Sequence, residues 1–340
     1  MARVVIMVWM QNLNAGLGDM LRGTVYLHHL SQQMNFKLIV DTQLHPVSHM
    51  LGSRPHEYSN YVIENQSKII NAINLDANTP LIVNSIQSHL KLLHPEPMLI
   101  TTNHNDTVSL ALSHECKQFM RSMLVPNDEF KAYFNDMCNA LKIPEHYSII
   151  HVRVGDHDLV NHSSIIANYN KLFNIVNRHL STTPSLFIIT DSAQFKEYLK
   201  RTIDPALNNR IIKTTPIHLS YANAANDMKT IKETLFDFML LTNAMIIKTH
   251  STYGWVSGFV QWVSCIFNVP LVNLKTAIQP MFDLVQSTQT TQSTQSTQST
   301  QSTSPLMKTI KMMKPMRPLQ QMMQIMPKRA SSSRLMKIQY

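Results

Sequence analysis

Three apolar, strand-length runs in this chain each lead directly into glycine, and glycine is otherwise nearly absent. The runs are Arg3-Val-Val-Ile-Met-Val-Trp9, Tyr147-Ser-Ile-Ile-His-Val-Arg153 and Ala244-Met-Ile-Ile-Lys248. After them come Gly16, Gly18 and Gly23, then Gly155, then Gly254 and Gly258; of the seven glycines only Gly52 stands apart. Glycine serves where the backbone takes a positive φ or approaches another group closely. A strand, a glycine turn and a helix make the βα step of a parallel sheet. Ligands of such sheets bind at these turns, outside the carboxyl ends of the strands.

The elements between the glycines support two such sheets. A loop over 11–19, a helix over about 20–34 with Leu21, Val25 and Leu30 inward, and a strand Lys37–Asp41 complete a βαβ unit. Residues 42–145 read as weak helices alternating with short apolar runs such as Pro80-Leu-Ile-Val83. Strands are then expected at Tyr147–Arg153, Ser185–Thr190, Arg210–Thr214 and Ala244–Lys248. The segment 227–243 is apolar almost all round, as a buried helix is. A last helix is expected from about Thr252 to Ser264, capped by Ser251, with Trp255, Phe259 and Trp262 in the core and Gly254 and Gly258 packed close against the sheet. The expectation is an α/β protein of two Rossmann-like domains facing a cleft, residues 1–143 and 144–285.

From Gln286 onward Gln-Ser-Thr triplets give way to a Met-, Lys- and Pro-containing stretch, expected to be a disordered basic tail over 286–340. Its eight basic residues and absence of acids account for all but one of the chain's nine net positive charges. The folded part is thus nearly neutral and gives no argument for nucleic-acid binding; only the tail has the charge to touch RNA, an anionic membrane or an acidic partner. Hydrophobic residues at 44% and charged residues at 15% exclude a disordered chain overall. No apolar run reaches the roughly 18 residues of a membrane span, and the first ten residues lack a cleavage site, so a cytoplasmic protein is expected. Cys116, Cys138 and Cys265 have no zinc or disulfide spacing and read as buried thiols.

Each glycine turn carries residues suited to binding. At the first, Gly16 and Gly18 offer backbone N–H groups and a helix N-terminus to an anion. It is neither GxxxxGK nor GxGxxG, because the third glycine falls at 23 rather than 21, so Asp41 at the next strand end does not complete a dinucleotide fingerprint. Asp19 is otherwise an ordinary helix-start acid. At the second turn, His151 and Arg153 lie on one face of a strand. A guanidinium there suits bidentate contact with a diphosphate, unless it pairs with Asp156 or Asp158 to brace the turn. His151, Asp156, His157 and Asp158 form no metal-binding pattern. At the third, Ser251 and Thr252 offer hydroxyls to phosphate oxygens, or serve only as caps. Asp237, inside the apolar helix, needs a partner, and Asp191, closing its strand, could meet a sugar or ribose hydroxyl; both could equally be structural.

In order and spacing the three turns resemble the fucosyltransferase-like superfamily of GT-B glycosyltransferases, which includes α-1,2-, α-1,6-, nodulation-type and protein O-fucosyltransferases. Gly16-Leu-Gly-Asp-Met-Leu-Arg-Gly23 resembles its N-terminal glycine motif. His151-Val-Arg-Val-Gly-Asp156 resembles its donor motif, and Asp237-Phe-Met-Leu-Leu followed by Lys248-Thr-His-Ser-Thr-Tyr-Gly-Trp255 resembles its third region. The resemblance covers residues 3–285. It implies a GT-B-like fold and an inverting, metal-independent transfer of fucose from GDP-fucose to a glycan or protein hydroxyl, with no further cofactor. Arg153 would stabilise the leaving diphosphate, oriented by His151 and Asp156. Ser251 and Thr252 would bind phosphate oxygens, and Asp191 would contact the nucleotide or a supporting loop. Asp237 belongs to the same substrate-binding set. Gly16 and Gly18 would close the cleft, with Asn14, Asp19 and Arg22 near the sugar and Asp19 as the candidate base.

Two alternatives remain open at this point: a transferase of another nucleotide sugar, and a non-catalytic protein that binds an acidic partner through its basic tail. The enzymatic reading requires that the Arg153 guanidinium face an opening and not be tied up by a neighbouring acid.

Overall fold

A computed structural model describes residues 3–11, 15–52, 56–73, 79–93, 96–104, 111–155, 166–214 and 227–275. Asn14, Asp156 and the whole 286–340 tail lie outside these residues, as do His157 and Asp158.

The chain opens with β1 (Val4–Val8), α1 (Leu17–Met34) and β2 (Lys37–Asp41), as the βαβ reading expects. There follow α2 (Ser59–Glu64), β3 (Ile70–Ala72), α3 (Thr79–Leu90), β4 (Met98–Thr102), α4 (His114–Met123) and α5 (Asp128–Ala140). The second set is β5 (Ser148–Arg153), α6 (Ile166–Leu180), β6 (Leu186–Thr190), α7 (Ala193–Thr202), α8 (Met228–Asn243), β7 (Ile247–Ser251), α9 (Gly258–Phe267) and β8 (Leu271–Asn273). Two four-stranded sheets result, ordered β2-β1-β4-β3 and β6-β5-β7-β8, and every named strand pair in them is parallel.

Both central strands are covered on both faces, which is why they read as unbroken apolar runs. In β1, Val5 and Met7 join the core beneath α1, while Val4, Ile6 and Val8 pack with Val62 of α2 and Leu99 of β4. In β5, Ile149 shares the first of these cores with Phe236 and Phe238 of α8 and Trp262 of α9, whereas Ile150 and Val152 face Leu172 of α6 and Phe195 of α7. The described residues pack as one compact unit, with one hydrophobic cluster running beneath both sheets. Two bonds from α4 reinforce the junction: Arg121 Nε donates to the Ile266 carbonyl at 2.8 Å, and Lys117 Nζ to Asn268 Oδ1 at 2.7 Å.

Several elements differ from expectation. Pro80–Val83 lies inside α3 and is not a strand-like run. The segment 210–214 makes only an isolated bridge, Ile211 beside Ile188. The third strand sits three residues later than expected, at Ile247–Ser251, because Ala244 closes α8 by donating its N–H to the Leu241 carbonyl. The last helix starts at Gly258 with Ser257 at its N-cap, not at Thr252. Trp255 is therefore not a core residue; it is 68% exposed. A side chain on Gly254 would meet nothing within 4 Å, so that glycine is not pressed against the sheet. Of the thiols, Cys116 is buried, while Cys138 and Cys265 are half-buried. No helix among the described residues is long and apolar enough to cross a membrane.

Candidate active site

Strand register brings the second and third glycine turns together. Arg153 pairs with Ser251 across β5 and β7, and Val152 stands beside Thr190 on β6. The residues just beyond these ends are stitched to one another. Thr252 donates its backbone N–H to the Arg153 carbonyl at 3.0 Å and its hydroxyl to the Val154 carbonyl at 2.5 Å. Gly155 follows with φ of 137°, a conformation that side-chain-bearing residues rarely adopt. A Cβ there would lie 3.3 Å from the Tyr253 hydroxyl, so the second turn rests directly on the third.

The first turn arrives from the other sheet. A Cβ on Gly18 would lie 2.9 Å from the backbone of Gly258, at the first residue of α9. The start of α1 and the start of α9 thus touch through backbone, and only glycine permits it. All three glycine turns converge on residues 251–258. Gly23 has a different role from the one its motif implies. It lies within α1 where a Cβ would fall 1.7 Å from the Thr102 carbonyl oxygen, so it packs the helix onto β4.

Asp19 anchors the first turn. Its carboxylate accepts the Gly16 N–H at 3.0 Å, as a helix-capping acid does, and pairs with Arg22 at 2.7 Å. Both side chains are about one-third exposed. Asp41 is buried and accepts the Gln43 N–H at 2.9 Å, so it offers nothing to a ribose at that oxygen.

At the second turn the Arg153 guanidinium is ion-paired with Asp191, NH1 to Oδ2 at 2.7 Å, and its side chain is 18% exposed. Of the roles left open for Asp191, the described contacts give the structural one: it also accepts the Val154 N–H at 2.7 Å and the Gly155 N–H at 3.3 Å, bracing the loop. Asp156 and Asp158, the partners that the sequence left open for Arg153, lie outside the described residues; the acid seen to pair with it is Asp191, just past β6. The condition set above for the enzymatic reading, a guanidinium not tied up by a neighbouring acid, is therefore not met. His151 is buried beneath Arg153, and burial, with the arginine charge as a smaller contribution, pushes its pKa down to about 3. Its imidazole is neutral, with Thr249 Oγ1 at 3.5 Å and the Phe259 ring 6.2 Å away.

At the third turn, Ser251 is buried and accepts the Tyr253 N–H at 3.2 Å, closing a local turn without capping a helix. Tyr253 lies against Arg153, whose Cζ is 6.0 Å from the ring centroid. Sequence reasoning missed two further groups here. Lys275, just past β8, donates to the Tyr253 carbonyl. His250 is buried with Nδ1 lacking a partner among the described residues, and burial, then the charges of Lys275 and Lys171, push its pKa down to about 4. Alternation along β7 puts His250 on the face of Lys248, opposite Ile247 and Thr249, so the period of two gave no signal of its burial.

Asp237 is not at these turns. It is fully buried in α8, accepts the Thr214 hydroxyl at 2.8 and 3.0 Å, and shares a pocket of charge with Lys196 and Glu233. Lys196 reaches the same threonine, donating to its carbonyl and lying 3.3 Å from its Oγ1. Burial raises Asp237 to about 6, against the lowering effects of Lys196 and Thr214. Among the described residues no three metal-ligating side chains come together.

No protein-family profile and no curated protein matches this chain. Solved structures do. A mutant of Arabidopsis thaliana FUT1 in complex with GDP superposes with a TM-score of 0.51 at 11% identity, covering 80% of this chain and 70% of that one. The fucosyltransferase NodZ from Bradyrhizobium gives a TM-score of 0.47 at 12% identity, over 77% of this chain and 93% of that one. POFUT1 in complex with GDP-fucose gives 0.43 at 9% identity, over 79% and 97%. Identity this low speaks to architecture only, and of these three the plant structure is the one above 0.5. With two parallel Rossmann-like sheets meeting at their glycine turns, the chain shares the GT-B-like architecture of the plant structure.

Proposed function

We propose that this chain is a glycosyltransferase that moves fucose from GDP-fucose to a hydroxyl of a glycan or protein, with inversion and without a metal or further cofactor. The observation that carries the reading is the convergence of all three glycine turns on residues 251–258, beside Arg153 at the end of a central parallel strand. That is where a fold of this kind binds its ligand.

The ion pair with Asp191 changes what Arg153 contributes. Asp191 spreads its charge over two backbone N–H groups and one edge of the guanidinium, so it fixes the arginine in place while partly offsetting it. A guanidinium carries five N–H donors in a rigid fork, and a fixed fork is a better anion receptor than a mobile one. Lys275 and the N-terminus of α9 add positive potential to the same turn. In the reaction, the bond between the anomeric carbon and the β-phosphate oxygen breaks and its electron pair leaves with the phosphate. These groups favour that charge more in the transition state than in the ground state. The acceptor oxygen attacks the opposite face of the sugar, and its proton passes to a base. Asp19, engaged by Gly16 and Arg22, serves in this reading to hold the first turn, and the base is left unassigned. Ser251, Thr252 and His151 shape the turn from within, and Asp237 supports the domain behind it.

The test is donor discrimination. GDP-fucose, GDP-mannose and UDP-sugars are added separately, and thermal midpoint and nucleotide release are measured. A shift with GDP-fucose above the others, with GDP release, is the expected result. A preference for another donor replaces fucose with that sugar, and flat responses to all of them contradict the proposal.

A further inference from the structure

Of the chain's three tryptophans, Trp9 and Trp262 are buried and Trp255 is 68% exposed. The Trp255 ring stacks on Tyr253 with centroids 5.1 Å apart and planes within 5° of parallel. The stack is held from the inside. Tyr253 lies against Arg153 and Gly155, its carbonyl accepts from Lys275, and its N–H is taken by Ser251. Beside it, Gly254 borders open space, since a Cβ there would meet no atom within 4 Å. The result is a large, uncharged aromatic surface, already ordered, at the rim of the turn where the proposed donor site lies. Fixing such a ring in advance lowers the entropy cost of binding.

An exposed indole face suits a ligand with one apolar face and polar edges. A pyranose ring has that form: its C–H face loses water against the indole while its hydroxyls stay solvated. The rim position decides which sugar-bearing partner it meets. A small donor is bound largely enclosed. An acceptor arrives as part of a larger molecule and needs a platform outside the enclosure. We propose that Trp255 is a stacking platform for a neutral sugar ring of the acceptor, a positioning and specificity residue that takes no part in bond breaking. This rests on the donor being held by the 251–258 turn.

The full-length protein, Trp255→Ala and Trp255→Phe are applied to an array of immobilised neutral oligosaccharides, with GDP affinity measured by calorimetry for each. The native protein is expected to be retained by at least one neutral glycan, and that glycan in solution moves the tryptophan emission to the blue in a saturable way. Trp255→Ala is expected to lower that retention about tenfold, the scale of one aromatic stacking contact. Trp255→Phe keeps part of it, and in both variants GDP affinity falls by less than glycan retention does. Retention by no glycan, or equal retention by Trp255→Ala, overturns the proposal. So does a loss of GDP affinity in Trp255→Ala as large as the loss of retention, which makes the indole a platform for the base. Failure of the native protein to bind GDP contradicts the donor reading separately, whatever the array shows.

Discussion

Arg153 and Asp191 make a pair whose two members have separable roles. Arg153→Ala removes the fork aimed at the leaving phosphate, and turnover is expected to fall about 100- to 1000-fold with the far-ultraviolet circular dichroism unchanged. Asp191→Asn keeps one of the two oxygens that accept the Val154 and Gly155 N–H groups, puts an amide donor in place of the other, and releases the charge on Arg153. It should therefore lower turnover less than Arg153→Ala does, with any loss of thermal midpoint confined to a few degrees. Equal kinetic losses in the two variants would make the pair a structural unit only. The period of two in a strand made it legible that His151 and Arg153 share a face, and the position of Gly155 marked the turn. That Asp191 pairs with Arg153 was not legible, because it lies 38 residues on, just past β6, and nothing local to the motif signals which acid the sheet brings alongside. Gly23 was legible as special but not as packing; its neighbour, Thr102, belongs to a strand in the region that carried no motif. Gly23→Ala drives a methyl into that carbonyl, and urea unfolding should show a loss of order 3 kcal/mol.

Among the elements, α1 and α9 depend on one another at their first turns. Gly18→Ala pushes its methyl into the backbone of Gly258, which no rotamer can relieve. The expected outcome is a raised KM for the donor with a smaller change in kcat, since the defect separates the turns without touching Arg153. The start of α9 was misplaced by six residues for a physical reason: Thr249, His250 and Ser251 are polar yet lie in the buried end of β7, so the strand seemed to stop early and the helix to start early. Trp255, Phe259 and Trp262 have helical spacing, but the helix includes only the last two. Buried titratable groups set the acid response. His45, His151 and His250 are neutral when folded, with pKa values of about 4, 3 and 4, all pushed down chiefly by burial. Below the ordinary imidazole value the unfolded chain binds more protons than the folded one, so these residues' contribution to stability is lost as pH falls through that window. Asp237 works in the opposite sense: raised to about 6, it stabilises most when protonated, and that contribution is lost as pH rises through about 6. Thermal midpoints should fall between about pH 7 and pH 5, because three histidines oppose one carboxyl. His151→Leu should flatten the fall and Asp237→Asn should steepen it.

For the molecule as a whole, α/β class and two parallel sheets were readable because buried parallel strands are apolar without alternation and are followed by turns and helices. The order of the strands and the continuity of the core beneath both sheets were not, since they depend on contacts between distant segments such as α4 with the end of α9. The charge of the chain is divided as unevenly as its glycine. Removing 286–340 takes away eight of nine net positive charges, so retention on RNA or an anionic resin should largely vanish while GDP-dependent stabilisation persists. Undiminished retention would assign the anionic partner to the 1–285 region. The central claim is that the three glycine turns together form a nucleotide-sugar site, and a crystal structure with GDP tests it most directly. The diphosphate is expected against Arg153 and the 251–258 turn. GDP bound elsewhere on the chain, or no GDP in crystals soaked at saturating concentration, would contradict it.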